Sequence, residues 1–171
     1  FGGITFTKGT NAKAELIVNN SVNLTTKDID GTGTNLFDVY DLASGTTLTL
    51  NAIQLDNETV TIKGAGNLTI NATATASDHD FANLTRTNTG NINLNVANSV
   101  DLTGQNLGGV NQYSVATSQT VTLLNSQLTS AMIVAGAGSI VLNTVSIANT
   151  DLSGINNDSF TGTITLNGST A

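Results

Sequence analysis

Apolar and polar residues alternate along this chain in short runs, and one run recurs. The pattern Gly-x-Ile/Leu-x-Leu/Ile-Asn appears as Gly66-Asn67-Leu68-Thr69-Ile70-Asn71 and as Gly90-Asn91-Ile92-Asn93-Leu94-Asn95. It returns as Gly138-Ser139-Ile140-Val141-Leu142-Asn143 and as Gly162-Thr163-Ile164-Thr165-Leu166-Asn167. The interval from Gly66 to Gly90 equals that from Gly138 to Gly162, and the interval from Gly90 to Gly138 is twice as long. Period-two alternation over a few residues marks a half-buried strand, and recurrence at a longer fixed period marks a repeat architecture. A degenerate copy at Ser114–Gln119 fills the gap. Looser copies run toward the N-terminus: Leu48-Thr49-Leu50-Asn51, Val22-Asn23-Leu24-Thr25 and Gly2-Gly3-Ile4-Thr5-Phe6-Thr7. The first apolar positions are then Ile4, Val22, Leu48, Leu68, Ile92, Ala116, Ile140 and Ile164. Their regular recurrence falls within the range of known solenoid repeats.

A second register follows the first. Ile53/Leu55, Val121/Leu123 and Val145/Ile147 come shortly after an anchor, and Leu16/Val18, Val60/Ile62, Leu107, Leu128 and Leu152/Ile155 come later in each period. Each period thus holds two or three short strands separated by Gly, Asn, Ser and Asp. The prediction is an all-β chain, a parallel β-helix (β-solenoid) of about eight rungs of roughly 23–24 residues. Residues 1–171 form a single segment, read as part of a longer chain. The two apolar positions of each motif face the core and the residue between them faces out. Gly suits the corner. The Asn that closes the motif is placed to bond to the same Asn in neighbouring rungs as a ladder. An antiparallel sandwich also places strands at short regular intervals, but does not require one motif at a fixed longer period. Lys27 to Asn35 and Ala72 to Asn91 break the pattern and read as loops.

Composition narrows the function. The chain has no Cys, no Pro, no Trp and only 10% charged residues, against about 25% in an ordinary soluble domain. No apolar run approaches the ~20 residues of a spanning helix, so no transmembrane segment is expected. Net charge is −7, and Lys8, Lys13, Lys27, Lys63 and Arg86 are too few and scattered to track phosphates, which argues against nucleic acid. Without Cys there is no disulfide frame and no thiolate zinc site.

Candidate chemistry is sparse. Asp28-Ile29-Asp30-Gly31-Thr32-Gly33 resembles the opening of a calcium loop, which Asp38 or Asp41 could close; Asp28, Asp30 and Asp38 are the candidate calcium ligands. EF-hand spacing would place the bidentate Glu at Val39, so the match is incomplete. His79, the only histidine, sits between Asp78 and Asp80, and no Gly-x-Ser-x-Gly elbow accompanies it, so no catalytic triad is assigned. A polysaccharide-cleaving β-helix would need carboxylates on neighbouring rungs. Asp78/Asp101 and Glu58/Asp80 have such spacing, and Lys63 and Arg86 could share a face. Sugar subsites favour aromatic platforms, and among Tyr and Trp only Tyr40 and Tyr113 are available. Thr-x-Thr pairs are frequent, but the middle motif position drifts through Thr69, Asn93, Val141 and Thr165, unlike a regular ice-binding array. No catalytic residue and no cofactor other than calcium is assigned, and the chain is read as not an enzyme.

The Gly-x-Ile-x-Leu-Asn rungs and the Asn/Thr-rich, Cys-free composition resemble bacterial β-strand-repeat surface proteins. These include surface-layer (S-layer) proteins and large secreted adhesins, and the resemblance is clearest from Gly45 to Asn167. It implies export to the cell surface, self-association into a lattice or fibre, and calcium dependence. The expectation is a structural extracellular module acting by self-assembly and surface contact. A glycan-binding adhesin module and a β-helix polysaccharide lyase or glycoside hydrolase are the alternatives.

Overall fold

The computed structural model describes residues 14–29, 37–128, 132–144, 151–153 and 155–168, without the side chains of Asn157 and Asp158. Anchor Ile4 and the pair Val145/Ile147 lie outside that set. The chain is an all-β parallel solenoid with three sheets. The first sheet stacks β1 (Glu15–Val18), β3 (Val39–Leu42), β5 (Val60–Gly64) and β7 (Leu84–Arg86). The second, of seven strands, stacks β2 (Val22–Asn23), β4 (Thr47–Asn51), β6 (Asn67–Asn71), β8 (Ile92–Val96), β10 (Gln112–Val115), β12 (Ile133–Gly136) and β14 (Asn156–Phe160). The third stacks β9 (Val100–Asp101), β11 (Thr120–Leu124), β13 (Ser139–Asn143) and β15 (Thr163–Asn167). Every strand pair described is parallel, and the only helical pieces among the described residues are 3-10 turns at Ala52–Gln54, Ala76–Asp78 and Asn125–Gln127.

The predicted inward positions form the core. Leu48, Leu68 and Ile92 stack in one column of the second sheet, and Leu50, Ile70, Leu94, Tyr113 and Val134 in the next. All are fully buried. Each such side chain removed from water contributes about 1.5–3 kcal/mol, so the columns dominate the stability of the rod.

Among the described residues the seven strands of the second sheet define six turns, against the eight rungs expected over residues 1–171, and the turns are unequal. In-register steps run from Val22 to Leu48, from Leu48 to Leu68, from Leu68 to Ile92 and from Leu94 to Tyr113. The first of these turns is the longest and the last the shortest. The recurring motif also changes face. Gly66–Asn71 and Gly90–Asn95 lie on the second sheet, whereas Gly138–Asn143 and Gly162–Asn167 lie on the third. The double interval between the second and third copies is therefore not two equal rungs. Two short turns take the chain from Leu94 through Tyr113 to Val134, and the remainder carries it around the corner to Leu142. Ala116 is accordingly not an anchor. It is exposed after β10, and Val121 stands beneath Ile140 instead. The stretch Ala72–Asn91, read as a loop, contains β7.

Two corners carry a glycine two residues ahead of a motif glycine, Gly64 before Gly66 and Gly136 before Gly138. Gly64 and Gly136 have φ of +91° and +94°, and a Cβ on either would collide with a backbone carbonyl of the rung below, Leu42 O or Val115 O. Only glycine combines that conformation with that approach. The Asn ladder is present in two separate pieces. Asn95 Nδ2 donates to Asn71 Oδ1 at 3.0 Å on the second sheet, and Asn167 Nδ2 donates to Asn143 Oδ1 at 2.9 Å on the third.

Candidate functional site

Charge is segregated between the faces. The first sheet carries Glu15, Asp41, Lys63 and Arg86 within its four strands, and Lys63 Nζ reaches Glu15 at 2.5 Å and Asp41 at 3.4 Å. These carboxylates raise the Lys63 pKa, Glu15 most. By contrast, β2, β4, β6, β8 and β10 of the second sheet hold no charged residue. Their outward positions are Asn, Thr, Ser and Gln, in columns such as Asn23–Thr49–Thr69–Asn93–Gln112. Period-two alternation places these amides and hydroxyls outward, because the residues between them fill the core. Cross-rung bonds organise them: Asn91 N–H donates to Asn67 Oδ1 at 2.8 Å, Asn111 Nδ2 to Asn91 Oδ1 at 3.0 Å, and Ser114 Oγ to Asn93 Oδ1 at 2.9 Å. The result is a continuous neutral polar face on a chain of net charge −7.

Asp28 and Asp38, the candidate calcium ligands among the described residues, take separate places. Asp30 lies outside the described residues. Asp28 is exposed on the turn after β2. Asp38 uses Oδ2 to accept the Ala14 N–H at 2.8 Å, and Asp41 pairs with Lys63. Among the described residues no three His, Asp or Glu side chains are grouped to hold a metal ion. Lys63 stands in register with Asp41, but Arg86 stands in register with Ile62, so the two cations fall on opposite sides of the first sheet. Arg86 donates instead to Asn88 Oδ1 and, at 2.7 Å, to Gly90 O. Asp80 contacts Asp56, whose Oδ1 accepts the Asp80 N–H at 2.9 Å. Tyr40 and Tyr113 are fully buried, so neither offers a ring face to a sugar. Burial pushes the Tyr113 phenol well above its usual range, and its hydroxyl donates to Gln127 O at 2.9 Å.

His79 is buried beside Phe81, with ring centroids 6.1 Å apart. Its Nδ1 lies 3.1 Å from Ala76 O, and its buried Nε2 has no hydrogen-bond partner. Desolvation lowers its pKa below 6.5, against smaller opposing effects from the Ala76 carbonyl and Asp78.

Two devices escaped the sequence reading. The first is a corner of the form Asx-apolar-x, in which the Asx Oδ1 accepts the N–H two residues on and the apolar carbonyl closes a turn. It occurs at Asn23-Leu24, Asp80-Phe81, Asp101-Leu102, Asn106-Leu107 and Asp151-Leu152. The second is a glutamine clamp. Gln54 Oε1 accepts the Asn51 N–H at 2.7 Å, while Nε2 donates to Leu24 O and Lys27 O, the turn of the preceding rung. Gln127 repeats this with Leu124 N–H, Leu102 O and Gln105 O. The shared run Leu-x-x-x-Gln-Leu, at Leu50–Leu55 and Leu123–Leu128, was the available signal.

Among the described residues no helix is long and apolar enough to cross a membrane. Comparison with known proteins assigns no family: no family model, no curated protein and no solved structure matches the chain.

Proposed function

We propose that the chain is a structural module of an extracellular surface layer, fibre or adhesin, acting by self-association through the outer face of the second sheet. The observation that carries this reading is the neutrality of that face from β2 to β10 in an acidic chain. Two copies of net charge −7 repel each other least where neither presents a charge. Rows of amides and hydroxyls at the ~4.8 Å strand spacing give such a contact a ready register. The resemblance to β-strand-repeat surface proteins supports the extracellular location and the part assigned to calcium at Asp28, Asp30 and Asp38.

Sedimentation velocity across a concentration series tests the reading. The chain should self-associate. Thr69→Lys, at the centre of the neutral face, should abolish association with the fold intact by circular dichroism, whereas Thr85→Lys on the first sheet should leave it unchanged. Association that survives Thr69→Lys would overturn the assignment of the face. Repeating the series with a calcium chelator tests the metal, because a calcium-bridged contact weakens and a purely polar one does not.

A further inference from the structure

Among the described residues the first sheet ends at β7, although the rod continues for further turns. The segment that stacks above β7 is not a strand but two successive turns, Leu102–Gln105 and Leu107–Val110. Phe81 N–H donates to Asn106 O at 2.7 Å, and Gly109 lies against Leu84 and Arg86, so this segment occupies the next place in the column. Glycines at 104, 108 and 109 leave it thin. Between it and the following turn, which carries the Gln127 clamp, a cleft of about 560 Å³ opens. That lies within the ~300–1,000 Å³ range of small-molecule sites. Residues 129–131 lie outside the described residues and are not counted in the site.

The lining has two characters and no charge. Leu124, 41% exposed, supplies the open apolar surface, and the largely buried Leu107, Val110 and Met132 back it. Gln105, Asn106 and Ser126 contribute polar groups. The Gln127 amide is committed to the clamp and Asn106 Oδ1 to Gly108 N–H. Among the described residues, the Gln105 amide, Asn106 Nδ2 and Ser126 Oγ make no hydrogen bond, so they are free to meet a ligand.

We propose that this cleft is a binding site for an uncharged glycan. Free amide and hydroxyl groups match the hydroxyls of a sugar, whereas a purely apolar ligand would cover them and leave them unpaired. The apolar patch takes the C–H face of a pyranose in place of an aromatic ring. An anionic glycan is disfavoured because no cation lines the cleft and the chain carries −7. The site lies apart from the neutral face of the second sheet, so the proposal stands independently of self-association.

The test uses the full chain and a panel of neutral oligosaccharides (N-acetylglucosamine, cello-, manno- and galacto-oligomers) with sialylated and sulfated counterparts, read by saturation-transfer NMR and calorimetry. At least one neutral member should bind with a Kd between about 10 µM and 10 mM. Gly104 provides a blocking position: its φ is not in the left-handed region, and a Cβ there meets nothing within 4 Å. Gly104→Trp should weaken binding at least about tenfold with the unfolding midpoint unchanged. Ser126→Arg, at an exposed position, should do the same and serves if Gly104→Trp does not fold. Thr69→Lys should leave binding intact. No saturable neutral binding up to roughly 10 mM, preference for the anionic counterparts, or full binding by both blocking variants would each overturn the site.

Discussion

The chain builds one corner twice, at Gly64 and at Gly136, on two different faces. Gly64-Ala65-Gly66-Asn67-Leu68-Thr69-Ile70-Asn71 turns from the first sheet onto the second, and Gly136-Ala137-Gly138-Ser139-Ile140-Val141-Leu142-Asn143 turns from the second onto the third. The local geometry is shared down to the contacts. A Cβ on Gly64 or Gly136 would collide with the carbonyl of Leu42 or Val115, and one on Gly66 or Gly138 with that of Ala43 or Ala116. A Cβ on Gly90 or Gly162 would in turn collide with the carbonyl of Gly66 or Gly138. A solenoid corner is thus a local instruction, to turn and start an alternating strand, and does not specify which side of the rod receives it. The side is fixed by how many residues precede the corner. The two turns between β8 and β12 are both short, and together they shift the next copy around by one face.

If the corners are equivalent, breaking them must cost the same. Gly64→Ala and Gly136→Ala each combine a positive φ with a backbone clash, and each should destabilise by about 3 kcal/mol. Gly45 supplies the control. Its φ is +77° but a Cβ there meets nothing within 4 Å, so Gly45→Ala isolates the conformational cost, about 1 kcal/mol. Chemical denaturation of the three variants separates strain from collision. A Gly136→Ala variant no less stable than Gly45→Ala would break the equivalence.

The glutamine clamps sharpen the comparison, because here the bonds match and the surroundings differ. Gln54 is 6% exposed, whereas Gln127 borders the cleft. Replacing either by Leu strands one N–H and one carbonyl, Lys27 O or Gln105 O, and leaves Leu24 O or Leu102 O with its turn bond alone. Under Gln54 these groups stay away from water, and the loss should be about 2 kcal/mol. Beside Gln127 water can enter from the cleft, and the loss should be about 1 kcal/mol. Equal losses in urea melts would mean that the cleft is not wet at the clamp.

How much of this could be read in advance follows from which interactions are local. Alternation at Leu68/Ile70, Ile92/Leu94 and Ile140/Leu142 is local, and it placed the core, the solenoid and the Asn ladder correctly. Rung length is not local. It depends on how many residues each turn stores outside the strands, and the Asx corners at Asn23, Asp80, Asp101, Asn106 and Asp151 store variable amounts. A frame of fixed period therefore put Ala116 where Val121 belongs. The cleft was illegible for a related reason: it opens where two turns, not a strand, stack above β7 among the described residues, and alternation reports strands that are present. Tyr40 and Tyr113, set aside as sugar platforms, occupy inward positions in register with Leu16 and Ile62 and with Leu94 and Val134, and are core.

The smallest expected effect separates the two halves by pH. The strand after the Gly64 corner leads into Ala72–Phe81, which holds the only histidine; the strand after the Gly136 corner leads into no histidine. Burial keeps the folded-state His79 pKa below 6.5, so above that pH both the folded and unfolded states hold it neutral and its contribution is complete. As pH falls below about 6.5 the unfolded chain takes up the proton first, and stability declines until the folded pKa is passed, after which the loss is constant. Asp78 and Asp56 soften the loss by favouring the imidazolium. Hydrogen exchange, corrected for intrinsic rates, should show residues 72–82 losing protection between pH 7.5 and 5.5 while Ser139–Asn143 hold theirs. His79→Phe should flatten the first response without touching the second. An equal loss in both segments would place the titrating group elsewhere, because a proton on an unpartnered Nε2 can act only where that nitrogen is buried.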